Sequence, residues 1–325
     1  MMSRIRIVIL FLGFLILCIS GIAQKESFKV VGYYSLNNAL DIVGAKEVPF
    51  KRLTHINLWF LNPDTLGNFP NNYSLLNQFV TRAHNKRVKV LVSIGGGSKQ
   101  PQYRELLREN AKRTQLIKNL LLFANQYNLD GIDVDLEGSD IDENYEIFVT
   151  ELAKELHQQH KLITAAIAVY YKDQLTDRAL ACYDFVNVMS YDRTGPWRPE
   201  KPGPHSTYAH AVEDIEYFRL ARSIPKEKIT LGVPFYGYGF GPDLTSPTIS
   251  MNYQKIVTDF PGSEQKDEWL MPGGKTIYYN GIPTIKQKVF LAKKKASGIM
   301  IWQLRGDALG KKSLLRVIYK YGQRK

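Results

Sequence analysis

Cysteine is all but missing from this 325-residue chain: Cys18 and Cys182 are the only two, so no framework of disulfides braces the fold. Histidine is scarce as well, with six residues and no cluster of them beside acids, which leaves an imidazole-built metal site without support. The pair His157-x-x-His160 reads as a solvated helix surface. No Gly/Ser/Pro-rich linker or low-complexity tract divides the chain, so nothing marks a second domain. Whole-chain disorder is excluded by ordinary globular values, 44% hydrophobic and 23% charged residues. Charge of one sign is not concentrated either. Lys and Arg number 43 against 31 Asp and Glu, a formal +12, but they are spread along the sequence and mark no nucleic-acid surface. The lysines of Lys286–Lys295 and Lys311–Lys312 read as solvated faces of outer helices.

Only one long apolar run is present. Arg4 and Arg6 precede the uncharged stretch Ile7–Ile19, which ends in the small-residue segment Ser20-Gly21-Ile22-Ala23 before Gln24. That is the pattern of a secretory signal cleaved after Ala23, leaving residues 24–325 as the exported chain, secreted or periplasmic. A membrane-spanning anchor needs about 18 apolar residues, more than this run supplies before Ser20. Lipid attachment at Cys18 is disfavoured by Leu17, where a small residue belongs. The expectation is a monomer with no stable membrane association, in which Cys182 is a small buried residue.

What recurs along the rest of the chain is the strand pattern. Runs rich in Val, Ile and aromatics occur at Lys29–Tyr34, Thr54–Phe60, Val88–Ile94, Gly131–Glu137, Ile163–Tyr170, Phe185–Tyr191, Ile229–Tyr236 and Gly298–Leu304. Helical periodicity falls between them, over Tyr103–Tyr127, Asn144–His157 (with Asp142 placed to cap), Ala209–Arg222, Thr284–Lys295 and Leu314–Tyr321. Strand and helix alternating through eight units predict an α/β fold, a (β/α)₈ TIM barrel in a single domain. Gly241–Asn280 forms a short excursion between strand seven and its helix. The Pro-rich Thr194–His205 after strand six belongs on the same face. Barrel sites collect where strands end and loops begin, so the residues ending the strands are the candidates.

One strand stands out. In Asp130-Gly131-Ile132-Asp133-Val134-Asp135-Leu136-Glu137, alternation sends Asp133, Asp135 and Glu137 to one side and Ile132, Val134 and Leu136 to the other. In a barrel the acids point inward. Three carboxylates this close in a low-dielectric interior cannot all ionise freely, and no basic residue lies in the stretch to neutralise them. Acid chemistry with shifted proton affinities is the reading, ahead of a salt-bridged core or a carboxylate metal site.

The chain here resembles the family 18 glycoside hydrolases, which include chitinases and endo-β-N-acetylglucosaminidases. Asp130 to Glu137 reproduces the family's Asp-Gly signature with two Asp and a terminal Glu. Ser93-Ile94-Gly95-Gly96 matches its Ser-x-Gly-Gly, and Met189-Ser190-Tyr191-Asp192 its Met-x-Tyr-Asp. Gly32-Tyr33, Phe60, Gly232 to Gly237 and Met300-Ile301-Trp302 extend the likeness in chain order over about residues 29–307. The chain departs from many family chitinases at Gly97, where they have Trp, at Tyr238, where they have Arg, and at Arg305, where a carboxylate is common.

The resemblance implies retaining hydrolysis assisted by the substrate, without a cofactor or metal. Glu137 is then the general acid. Asp135 accepts a hydrogen bond from the 2-acetamido N–H, Asp133 holds or exchanges its proton, and Tyr191 aligns the acetamido oxygen that attacks the anomeric carbon. Trp302 is the apolar floor under the reacting sugar. Tyr33, Phe60, Met189, Asp192 and Tyr236 are further substrate-binding candidates, with Trp197, His205 and Tyr238 on the loops. Ser93 is a structural tie, since no Ser-His-acid set accompanies it. The implied substrate is a glycan containing N-acetylglucosamine, chitin or chito-oligosaccharides. Alternatives are an endo-β-N-acetylglucosaminidase acting on N-glycans, or a catalytically silent sugar-binding barrel.

Overall fold

The computed structural model describes residues 28–39, 48–70, 73–242 and 248–323. The expected signal segment, its cleavage site and Cys18 lie outside the described residues.

Eight parallel strands close into a barrel: β1 (Lys29–Ser35), β2 (His55–Trp59), β3 (Lys89–Gly95), β4 (Gly131–Asp135), β5 (Leu162–Ala168), β6 (Phe185–Met189), β7 (Ile229–Pro234) and, last in the chain, β12 (Gly298–Trp302), which pairs with both β1 and β7. This is the (β/α)₈ barrel the alternation predicts. The strands are buried on both faces, as parallel strands under a ring of helices must be. Ile132 and Val134 of β4 pack outward in the apolar layer beneath the helices at 0% exposure. Their neighbours Asp133 and Asp135 face the barrel interior.

Several strands stop short of their expected ends. β4 finishes at Asp135, β5 at Ala168, β6 at Met189 and β12 at Trp302, because the chains splay into loops there and lose their ladder partners. Expected helix Tyr103–Tyr127 is two helices, Gln102–Arg108 and Asn110–Gln126, broken at Glu109, whose extended backbone (φ −92°, ψ 121°) cannot continue a helix. Asp142 does not cap the helix Tyr145–Gln158 directly; its Oδ1 accepts the Asn144 N–H at 2.9 Å, just before the helix begins.

The excursion after strand seven begins earlier than expected. Pro234 ends β7, and the chain enters a separate antiparallel sheet at Tyr236. Its strands are β8 (Tyr236–Phe240), β9 (Thr248–Asn252), β10 (Glu268–Leu270) and β11 (Thr276–Tyr278), in the order β10-β11-β8-β9. The lysine face also needs correcting at one position. Lys288, on the helix Ile282–Lys295, is fully buried. Its Nζ donates to Ser206 O at 2.9 Å, Ser206 Oγ at 2.7 Å and Asn280 Oδ1 at 2.7 Å, tying the loop after β6 to the end of the inserted sheet. No helix among the described residues is long and apolar enough to cross a membrane.

Candidate active site

Asp133 is the deepest of the three acids, at 0% exposure. It accepts from Tyr33 on β1 (2.5 Å), Ser93 on β3 (2.8 Å), Thr164 on β5 (2.5 Å) and Asn187 on β6 (3.3 Å). Burial raises its proton affinity and these donors oppose the rise. Ser93 is thus a tie, as expected. Tyr33 lies 1% exposed beneath Trp302, its hydroxyl spent on Asp133, so it supports the site from below instead of lining the cavity.

Asp135, one layer higher, is held well above the usual carboxylate range by burial first, then by the charges of Glu137 and Asp133. Its Oδ1 is buried without a partner among the described residues, an acceptor still to be satisfied. The end of β3 makes room for it. Gly95 (φ +97°) pairs with Asp135, and a Cβ there would lie 2.3 Å from the Asp135 carbonyl oxygen. At Gly96 (φ +101°) a Cβ would meet the Phe60 ring at 2.4 Å. Glycine is required at both by conformation and by space.

Glu137 stands two residues past β4, partly open to the cavity. Burial, followed by the charges of Asp192 and Asp140, pushes it up to about 7. A carboxyl with that proton affinity can donate a proton near neutral pH. Asp192 follows β6 in a left-handed conformation (φ 62°). Its Oδ1 accepts from Tyr236 at 2.6 Å and lies 3.3 Å from His205 Nδ1. Tyr191 is 5% exposed, and its hydroxyl meets only the soft acceptor Met300 Sδ at 3.9 Å, which leaves it ready for a better one.

These groups border a cavity of about 600 Å³ lined by Phe60, Gly97, Asp135, Glu137, Met189, Tyr191, Asp192 and Trp302, with Tyr170, Tyr171, Arg193, Trp197 and Arg198 on its far wall. A neighbouring cavity of about 490 Å³ shares Asp192 and Trp302 and continues under the inserted sheet past Tyr236, Tyr238 and Asn252. Together they form a cleft. Trp302 lies at its middle, stacked on Phe60 with ring centroids 5.9 Å apart at 24°, and tilted against Trp59 at 5.3 Å. An apolar floor of joined aromatic rings suits the C–H face of a sugar ring.

Of the residues singled out from sequence, Glu137, Asp135, Tyr191, Trp302, Phe60, Met189 and Asp192 converge on the first cavity. Tyr236 and Tyr238 line the second, while Tyr33 and Asp133 lie below. Trp197 is on the far wall. His205 is fully buried behind Asp192, against the rings of Tyr236 and Tyr238. Sequence reasoning missed Trp59, Tyr171, Arg193 and Arg198; the first three sit at or within four residues of a strand end, and Arg198 lies further along the loop after β6.

The model of a protein family, "Glycosyl hydrolases family 18", matches residues 29–307 of this chain. Among curated proteins, it is 32% identical over 282 residues to "Probable chitinase 2" of Drosophila melanogaster, covering 70% of this chain and 57% of that one. With human "Chitinase-3-like protein 2" the identity is 25% over 296 residues, 74% of each chain. Among solved structures, the family 18 chitinase ChiB from the chitin utilization locus of Flavobacterium johnsoniae superposes with a TM-score of 0.80 at 35% identity, covering 91% of this chain and 94% of the other.

Proposed function

Since the chain belongs to the family 18 glycosyl hydrolases, we propose that it cleaves β-1,4 bonds next to N-acetylglucosamine in chitin or chito-oligosaccharides, with retention and with the substrate's own acetamide as nucleophile. The carrying observation is the set of acids on and just past one strand: a deep Asp133 held by donors from four other strands, an Asp135 with an unfilled acceptor, and a Glu137 pushed up to about 7 at the cavity.

The reacting sugar lies over Trp302. Its acetamido N–H fills Asp135 Oδ1 while the Tyr191 hydroxyl donates to the acetamido oxygen, holding that oxygen under the anomeric carbon. Glu137 gives its proton to the leaving glycosidic oxygen as the acetamido oxygen forms the new bond. The product is a cyclic oxazolinium ion, whose positive charge Asp135 offsets as its proton passes toward Asp133. Glu137, now ionised, takes a proton from water, and that water opens the ring on the face the leaving group occupied. Phe60 and Met189 shape the pocket, and Tyr236 holds Asp192. Tyr33 fixes Asp133. Export through the Arg4–Ala23 segment belongs to the same reading, which puts the enzyme where such polymers are met.

Mass spectrometry of products from chito-oligosaccharides and from an N-glycoprotein, run side by side, tests the substrate. Shortened chito-oligosaccharides released first as the β anomer in proton NMR are expected. Release of the α anomer, or cleavage of fully deacetylated chitosan, would sink the acetamide mechanism; cleavage of the N-glycan alone would make the protein an endo-β-N-acetylglucosaminidase. Binding of both without cleavage would make it a sugar-binding barrel.

A further inference from the structure

The far wall of the first cavity carries a chemistry that a neutral polymer does not need. Only the first cavity holds Glu137, while Trp302 is common to both. A sugar lying over Trp302 therefore sends its leaving neighbour along the wall formed by Tyr170, Tyr171, Trp197, Arg193 and Arg198. Gly97 lines the same cavity, and a Cβ there would come within 3.3 Å of Glu137 Oε1, so the space beside the proton donor is bare. Trp197 and Tyr170 are 57% and 51% exposed, broad surfaces for a ring.

Two cations stand in this wall. Arg198 is exposed, and among the described residues no carboxylate lies within ion-pair distance of its guanidinium. Arg193 is partly committed: Nη2 donates to Asp214 and lies 3.9 Å from Glu213 Oε2, the ring of Tyr170 lies 5.9 Å away, and Nε is buried with no partner among the described residues. The carboxylates facing the same cavity are Asp135, Glu137 and Asp192. The first two hold protons more tightly than usual, and the third keeps its charge with one oxygen turned to the Tyr236 hydroxyl. Repulsion of an anion is thereby reduced.

We infer that the leaving-group half of the cleft accepts an N-acetylated sugar bearing a carboxylate, with Arg198 as its direct partner and Arg193 as a second donor behind it. This rests on the hydrolase reading above and narrows its substrate. The carboxylate has two chemical sources, an oxidised chain end or an acidic ether on the ring.

Three tetrasaccharides separate them: neutral chitotetraose, the same chain oxidised to an aldonate at its reducing end, and one alternating N-acetylglucosamine with its O3-carboxyethyl ether. At low salt, kcat/KM for at least one acidic chain is expected to exceed the neutral value by about twofold to fivefold, the scale of an exposed charge pair. In Arg198→Gln that ratio falls to about one, and in the wild type about 0.5 M NaCl lowers it in the same way. Whichever acid gains identifies the source. A wild-type ratio near or below one for both acids, or a preference that survives in Arg198→Gln and in Arg193→Gln, overturns the assignment. Should no chain be cleaved, the hydrolase reading fails by itself. Tryptophan-fluorescence titration with the same three sugars then reads the preference as a ratio of Kd values, with the same two outcomes.

Discussion

The Tyr236 hydroxyl donates to Asp192 Oδ1 at 2.6 Å, joining the first residue of the inserted sheet to the acid that follows β6. Asp192 is thereby fixed where its negative charge acts on Glu137. Asp140, 6% exposed and accepting the Gln100 N–H at 3.3 Å, is a second such charge. Like charges favour the protonated neighbour.

The pH profile follows from that arrangement. Glu137 must be protonated to act, so kcat/KM is expected to hold below about 7 and fall as pH rises through that value. Asp140→Asn removes one repelling charge, which lets Glu137 ionise more easily. Its alkaline limb should therefore move to lower pH, by roughly half a unit. A limb that stays in place or moves upward would contradict the role given to Asp140; pH–rate profiles of the two proteins decide it.

Glu137→Gln keeps the shape but has no proton to give. Turnover should drop by about 10²–10⁴-fold while chito-oligosaccharide binding, read by calorimetry, persists. Turnover near the wild-type value would remove Glu137 as the acid.

Asp135→Asn and Tyr191→Phe both disturb one acetamide. Each is expected to lower kcat more than it raises KM, since the alignment matters most in the transition state. In the double variant the losses should overlap. Losses that multiply in full would show that the two side chains act separately.

Lys288 is held by burial at about 7, well below its ordinary 10.5. Above about pH 7 the folded amine has lost its proton while the unfolded one keeps it to near 10.5, so the unfolded state binds more protons and this group's contribution to stability rises with pH across that window. Lys288→Met should cost about 2 kcal/mol at neutral pH, because Asn280 Oδ1 loses its donor and Ser206 O keeps only the Asn280 Nδ2 donor. The deficit against wild type should widen toward pH 9.5 in urea unfolding. A deficit that shrinks as pH rises would refute this account.

The barrel was legible because its signal is local. Val/Ile-rich runs alternating with helical periodicity demand a parallel sheet, and Asp133, Asp135 and Glu137 reach one side by strand geometry alone. Distances across the barrel were not legible. That Tyr33 serves Asp133 from β1 depends on how the closed sheet faces itself, which no one-dimensional pattern carries. Lys288 was misread for a related reason. It sits in a lysine-rich helix whose other lysines are only partly covered or exposed, and only the packing of the loop after β6 against that helix decides which one is fully buried. The extent of the inserted sheet escaped too, because Tyr236–Phe240 continues the apolar run of β7 and only Pro234 hints at the break.

The inserted sheet leaves β7 after a single residue and lines the half of the cleft that contains no proton donor. On the proposed reading, grip on the incoming chain comes mostly from a stretch of polypeptide separate from β4, and the two meet where Tyr236 holds Asp192. On that reading, changing the length of the inserted sheet beyond Tyr236 is expected to reset how many sugars are held upstream of the cut while the acids of β4 stay in place. Under the proposed function, chain holding and bond cleavage could then be tuned by different mutations, and an engineer seeking shorter or longer products has a place to begin that leaves Tyr236 and the acids alone.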